Sequence, residues 1–199
     1  TISSNETHLT VQDTLHNQGL INGELTHIQA NHVWNDGARI YGTHVAIQAN
    51  TLDNKSDTAG TGAVIASRGD MDLGVGTLNN QSGGAVKNNA RDNAWIFSAG
   101  DLNVGGSLDT DLKAQGQANT VNNLSARIES LADMKFVAKN INNITVGNIL
   151  SGKNGVYQEA NASGTLKTGL ITLTGTADDM LGIGVKGSPV AVDITGIKT

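Results

Sequence analysis

Three aspartates have the spacing most suggestive of chemistry. Asp70, Asp101 and Asp133 each follow a small residue, as Gly69-Asp70, Gly100-Asp101 and Ala132-Asp133. If the segments around them stack as parallel strands, neighbouring carboxylates lie about 4.8 Å apart. Glycoside hydrolysis uses a carboxyl pair about 5 to 9.5 Å apart. A plainer role is also open: an Asp at a repeated corner can bond the turn's own backbone, which accounts for all three copies at once. Catalytic groups are seldom part of a repeat, so no catalytic residue is assigned and no enzyme is expected. Asp70 also completes Arg68-Gly69-Asp70, a tripeptide that integrins recognise. Gly69 and Asp70 belong to the repeated pattern, which leaves only Arg68 to explain, and motifs this short often match by chance.

The five histidines, His8, His16, His27, His32 and His44, all lie in the first quarter of the chain. Stacking could bring His27 and His44 together, and with Glu24 they would make a plausible metal site. Solvated histidines on a strand face are the simpler reading, so no metal and no cofactor are assigned. With no cysteine there is no thiolate chemistry and no disulfide. Trp34, Tyr41 and Trp95 are the large aromatics expected to face outward. Trp34 and Tyr41 could form a stacking surface for sugar rings, with loop packing as the alternative. Six Asn-x-Ser/Thr sequons occur, at Asn5, Asn54, Asn80, Asn123, Asn143 and Asn161, a number close to chance in a chain this rich in Asn, Ser and Thr. Asp178-Asp179 reads as a solvated turn.

The elements that must position these residues are repeats. Ala63 to Asn80 follows the pattern A-x-I-x-S-x-G-D-φ-x-φ-x-A-x-x-φ-x-N, where φ is apolar. Copies begin at residues 19, 38, 63, 94 and 126, and a half-copy with Leu9, Val11, Leu15 and Asn17 opens the chain. The extra length of later copies falls between the closing Asn position and the next Ala, as Lys55 to Gly62, Gln81 to Asn93 and Asp111 to Ser125. An insertion at one corner of a stacked coil lengthens a surface loop without shifting the strands, so the three long loops are expected on one side.

Within each copy the apolar residues alternate, as in Val45/Ile47, Leu102/Val104 and Met134/Phe136. That is strand spacing, in pieces of about 3 to 6 residues bounded by Gly, Asn and Asp. Val121 to Ala138 also fits a helical period, but Ile128 takes the place of Ile65 and Ile96, which decides for strand. The reading is therefore all-β: a right-handed parallel β-helix with three short strands per coil. Ile21, Ile40, Ile65, Ile96 and Ile128 would form one inward ladder, and Ile28, Ile47, Leu73, Val104 and Phe136 a second. Asn17, Asn35, Asn54, Asn80 and Asn143 would stack at one corner, with Thr110 as a weak rung in the copy that begins at residue 94. Repeats occupy 1-143. The segment 144-199 is β-rich but irregular: degenerate coils, a cap or the start of another module.

Composition agrees. Aromatics are 3%, with 25 Gly and one Pro, as suits a narrow stack filled by aliphatics. The net charge of -5 is dispersed, which argues against nucleic acid as a partner. No stretch approaches the roughly 18 apolar residues of a membrane span. Thr1 is not an initiator Met and no basic-then-apolar leader follows, so the chain reads as a mature or excised fragment.

With Gly-Asp-Leu-type coils ending in Leu-x-Asn, as in Ser98 to Leu108 and Ala126 to Asn143, residues 8 to 143 resemble the filamentous haemagglutinin-like exoproteins of Gram-negative bacteria. These include large adhesins and contact-dependent growth inhibition effectors. The resemblance implies a right-handed parallel β-helix, export by an outer-membrane two-partner-secretion transporter, and display at the cell surface. Some adhesins of this family carry the Arg-Gly-Asp tripeptide. Pro189 is the only proline, so the Asn-Pro motif of the family's secretion domain is missing, and no toxin domain is evident; the chain would be an internal piece of shaft. The expected function is an extracellular shaft or adhesin segment that presents binding loops, or carries a toxin module, to a receptor or glycan on a target cell. The alternative is a β-helix polysaccharide lyase or hydrolase, or a tailspike-like depolymerase.

Overall fold

A computed structural model describes residues 1–83 and 94–144, and the backbone of 170–173 and 190–193. The described residues are strands, turns and bends without a helix. The chain divides into two compact units, Thr1–Asn143 and Ile144–Thr199.

Two parallel sheets and one short antiparallel hairpin make up the first unit. The A-x-I-x-S segments form one of the sheets, in the order Ile2–Ser3, Leu20–Asn22, Arg39–Gly42, Val64–Ser67, Trp95–Ser98 and Arg127–Ser130. Each strand pairs with its counterpart one repeat on, because the intervening chain is just long enough to return to the same edge. The register sets Ile2, Ile21, Ile40, Ile65, Ile96 and Ile128 opposite one another. Ile21, Ile40, Ile65 and Ile96 are buried, and each contributes about 1.5–3 kcal/mol by leaving water. Since side chains alternate across a strand, the residues flanking each Ile point outward.

The second sheet runs Glu6–Thr10, Leu25–Asp36, His44–Lys55, Met71–Gln81, Leu102–Gly105 and Met134–Phe136. Its register aligns Leu9, Ile28, Ile47, Leu73, Val104 and Phe136. A third column runs through Leu15, Val33, Leu52, Leu78 and Val121. These three columns, together with Val45, Met71 and Leu102 and with Ala30, Ala49 and Val75, make up the core. Where the repeat pattern predicts two short strands, Leu25–Asp36 and His44–Lys55 are single strands of 12 residues, and Met71–Gln81 is one of 11. Their pairing steps over one residue, from Ala30↔Ala49 to His32↔Thr51, so the strand bends without ending.

Side-chain amides, buried from Asn17 to Asn80, join the strands at the corner. Asn17, Asn35, Asn54, Asn80, Asn123 and Asn143 form an unbroken column, each Nδ2 donating to the next Oδ1 at 2.8 to 2.9 Å. Each Nδ2 that continues inward also meets main-chain carbonyls: Asn35 donates to Ala38 and Val64, and Asn54 to Ala63 and Trp95. The expected weak rung at Thr110 is not in the column. Asn123 takes that place, with Val121 filling the position of Leu78. The third insertion therefore lies between Gly105 and Ala118, ahead of the Asn position, and departs from a different corner than Lys55 to Gly62. The shift has a physical reason: Val121 fits the third aliphatic column, whereas the Leu108-x-Thr110 spacing merely imitates it.

Ser67, Ser98 and Ser130 mark the opposite corner. Ser67 Oγ contacts Ser98 Oγ at 2.9 Å and donates to Gly69 O, while Ser130 Oγ donates to Gly100 O. In the second unit, Leu170–Leu173 and Val190–Asp193 pair antiparallel. Asn161 and Asp178-Asp179 lie outside the described residues.

Candidate functional site

The aspartate column forms as the spacing implies, but its bonding differs. Asp70 Oδ1 accepts the Asp101 N–H at 3.1 Å, and Asp101 Oδ1 accepts the Asp133 N–H at 3.1 Å. Asp70 and Asp101 thus bond the backbone one repeat on, not their own turns. The Asp101 N–H, aided by Lys113, holds Asp70 below the usual carboxylate range. Asp70 Oδ2 lies 3.2 Å from Lys113 Nζ.

Lys113 belongs to the third insertion, which folds into a hairpin. Ser107–Leu108 pairs antiparallel with Ala114–Gln115. Asp109 Oδ1 closes the tip by accepting the N–H of Asp111 at 2.9 Å and of Lys113 at 2.8 Å. Leu112 takes a positive φ of 61° there. The hairpin lies back on the outward face of the second sheet, where Gly74 and Gly105 stand opposite one another. A Cβ on Gly74 would sit 2.3 Å from Ser107 C and 2.5 Å from Leu108 N, so the missing side chain makes the seat. Gln48 Oε1 secures it by accepting the Leu108 N–H at 2.6 Å.

Asp72 lies beneath this hairpin, fully buried. His44 Nε2 reaches its Oδ2 at 2.9 Å and Lys113 Nζ at 3.3 Å. Its Oδ1 accepts the Ala114 N–H at 2.9 Å and Asn103 Nδ2 at 3.3 Å. Burial on its own would raise the pKa of Asp72, but the hydrogen bonds from His44 and Ala114, with Lys113, hold it below the usual range. Lys113 is raised: desolvation opposes its charge, and Asp70 and Asp72 outweigh that. A carboxylate with four donors around it works as a clasp. Sequence reasoning passed over Asp72 because its register partners, Ala46, Asn103 and Lys135, share no type. The available signal was an acid two residues after a consensus Asp.

Arg68-Gly69-Asp70 is engaged within the chain at both ends. Arg68 Nη2 donates to Gly23 O at 3.1 Å and Nε to Thr43 Oγ1 at 3.3 Å, while Asp70 holds Lys113 and the Asp101 backbone.

The histidines separate. His8 and His27 meet Nδ1 to Nδ1 at 3.4 Å, edge to face. Burial, then His8 and His44, lower the pKa of His27. His44 turns to Asp72, His16 to Asp36 at 3.1 Å and His32 to Asp53 at 3.0 Å. The grouping of His27, His44 and Glu24 does not form: among the described residues, no three His, Asp or Glu side chains gather as a metal site. Asp53 also ends a second, outward amide column, Asn142 to Asn122 to Asn79 to Asp53.

Trp34 and Tyr41 stand on different sheets and share no surface. The His16 ring stacks on Trp34, 4.1 Å between centroids and 10° from parallel. Tyr41 instead lines up outward with Ala66 and Phe97, beside Trp95. The Trp95 ring is 5.0 Å from Phe97, lies under Arg127 at 5.4 Å, and donates Nε1 to Glu129 at 2.9 Å. Of the sequon asparagines, Asn54 and Asn80 are wholly buried in the amide column, which withholds their side chains from glycosylation.

No family model matches the chain, and neither does any curated protein or solved structure.

Proposed function

We propose that Thr1–Asn143 is a length of right-handed parallel β-helix, three faces to the coil, and that it serves as a non-enzymatic shaft segment of a large bacterial surface exoprotein of the filamentous haemagglutinin type. An outer-membrane two-partner-secretion transporter would export it, and its outward loops would meet a receptor or glycan on a target cell. The observation that carries this reading is the amide column, which runs through six repeats at near-constant spacing while insertions of different length leave the stack. Such a column fixes the axial rise and leaves the perimeter to vary. That division suits a spacer that presents loops better than a fold built around one cleft.

Binding of the purified chain to intact cells tests the reading. Shortening Lys55 to Gly62 to two residues, the length of Asp36-Gly37, should leave the strands intact and weaken binding; unchanged binding after this cut, and after loss of the hairpin, would overturn loop-based recognition. The in-register column of Asp70, Asp101 and Asp133 favours one rival, a β-helix polysaccharide lyase or hydrolase. New reducing ends or unsaturated sugars released from acidic polysaccharides would decide for that rival.

A further inference from the structure

The chain has two Trp, two Tyr and two Phe, and three of these six, Tyr41, Trp95 and Phe97, stand outward on the first sheet. Parallel register places Tyr41, Ala66 and Phe97 side by side on successive strands. Two strand steps separate the aromatic pair by about 9.6 Å, and the residue between them is only an alanine. The result is an open slot of about 370 Å³, lined by Tyr41, Ala66, Ser67, Arg68, Phe97 and Ala99. A ring seated over Ala66 would lie about 4.8 Å from either aromatic, inside the stacking range of about 4.5–7 Å.

The walls are set in advance. Trp95 packs against Phe97, and its own position is fixed by Arg127 and Glu129. Arg68 lines the slot and is exposed, and its guanidinium extends across the Tyr41 strand to Gly23, which follows Leu20–Asn22; there Gly23 O and Thr43 Oγ1 accept two of its N–H groups. No carboxylate lines the slot. An apolar cleft with one cation at its rim selects a ring that carries an anion. One side stays open to water, which suits a ligand whose remaining edge bears hydroxyls. We infer that the Tyr41–Ala66–Phe97 slot binds an acidic sugar residue, with the ring between the aromatics and its carboxylate on Arg68. This deepens the surface-display reading by naming a ligand class. Binding of free sugar is measured without cells, so the inference fails or stands apart from that reading.

The test is a titration of the isotope-labelled full chain, followed by amide NMR shifts, with glucuronic acid, N-acetylneuraminic acid and glucose. Saturable shifts centred on Ala66, Arg68 and Ala99 are expected for the acids, and weaker ones for glucose. Arg68→Gln should weaken the acids by about tenfold, the scale of one charge-assisted bond, and leave glucose unchanged. Tyr41→Ala and Phe97→Leu should weaken all three, with the amides of Ile40, Ile65 and Ile96 reporting that the fold is intact. Sialyllactose and a galacturonate trisaccharide then separate a terminal acidic sugar from one within a polysaccharide; saturation by either at the slot supports the inference. Absence of saturable shifts at millimolar sugar, shifts confined to other faces, equal response to glucose and glucuronate, or an Arg68→Gln chain that binds the acids as before would each overturn it.

Discussion

Replacing Asp72 with alanine should detach the hairpin that carries Lys113 while both sheets stay paired. Asp72 accepts two short buried bonds, from His44 Nε2 and the Ala114 N–H, both at 2.9 Å, and two longer ones from Asn103 and Lys113. Bonds to a charged group contribute about 1.5–3 kcal/mol each. Lys113 is half-exposed and falls at the low end, and the carboxylate's own desolvation offsets much of the rest. The net loss is about 3 kcal/mol, or about a hundredfold in opening. Hydrogen exchange reads it at Leu108, held by Gln48, and at Ala114, with Ile65 as the core reference. Asp72→Asn keeps the shape and an acceptor for Ala114, so its effect should be about tenfold. The pH dependence has a definite sign. The folded pKa of Asp72 is depressed, so its contribution is complete above the unfolded value of about 3.9 and is lost as pH falls through the folded one. Asp72→Asn should remove that acid-side loss of protection. Should Asp72→Ala leave Leu108 and Ala114 protected, or expose Ile65 as strongly as they are exposed, the clasp assignment is wrong.

Gly74→Ala attacks the same seat from below, since its Cβ would run into main-chain atoms of Ser107 and Leu108; exchange at Leu108 should accelerate with little change in the denaturation midpoint of the sheets. Asn54→Ala breaks the amide column, taking the partner of Asn35 Nδ2 on one side and of Asn80 Oδ1 on the other, and removes one donor each from the carbonyls of Ala63 and Trp95; urea unfolding should register a loss of about 3 kcal/mol. In the same assay Asn123→Ala should cost about 1–2 kcal/mol and Thr110→Ala less than about 0.5, an order that reverses if Thr110 holds the rung. The pKa of His27 is lowered by burial, then by His8 and His44, so the neutral ring is the one that fits: stability should be full above the unfolded histidine value of about 6.5 and decline as pH falls toward the folded one. His27→Gln should flatten that decline in denaturation midpoints taken from pH 8 to 5, a range that spans roughly the ordinary histidine titration.

Inward residues were legible in the sequence because a stacked strand constrains them twice, by alternation along the strand and by identity from one repeat to the next. That is why the isoleucine column from Ile21 to Ile128, and the second column from Ile28 to Phe136, could be placed residue by residue. Asn123 escaped because the insertion before it moved the closing Asn away from its usual distance, and Leu108 with Thr110 supplied a decoy at the usual one. Outward residues carry no such double constraint. Asp72 acquires its role through Lys113 and Ala114, some forty residues on, with His44 and Asn103, and nothing local announces those contacts. Trp34 and Tyr41 are close in sequence, but the turn at Asp36 to Ala38, with Gly37 at a φ of 58°, carries them to different sheets. The same turn recurs at Ser125, where φ is 49°, a non-glycine residue held in the left-handed region because the flanking Asn123 and Ala126 are fixed by the column.

The corner from which an insertion departs decides what it can become. Lys55 to Gly62 leaves after the buried Asn54, where the amide column already satisfies the main chain, and its Asp57 bonds within the loop, to Thr61 and Gly60. Such a loop can change length or sequence without touching the core. The segment 106–117 leaves between the second and third columns, next to sheet positions emptied by Gly74 and Gly105, so its backbone can lie on the sheet and bury an acid beneath it. The cost of that burial is met by donors from two other repeats: His44 from one, and Asn103 with Ala114 and Lys113 of the insertion from the other. A shaft that only needed length would gain nothing from this arrangement. A surface that must hold Asp70 in place, and with it the corner that carries Arg68, gains a fixed charge pattern beside the Tyr41–Phe97 slot. If the slot binds acidic sugars as proposed, the hairpin supports that face, and loosening it through Asp72 should weaken binding at Arg68 even though no hairpin residue lines the slot.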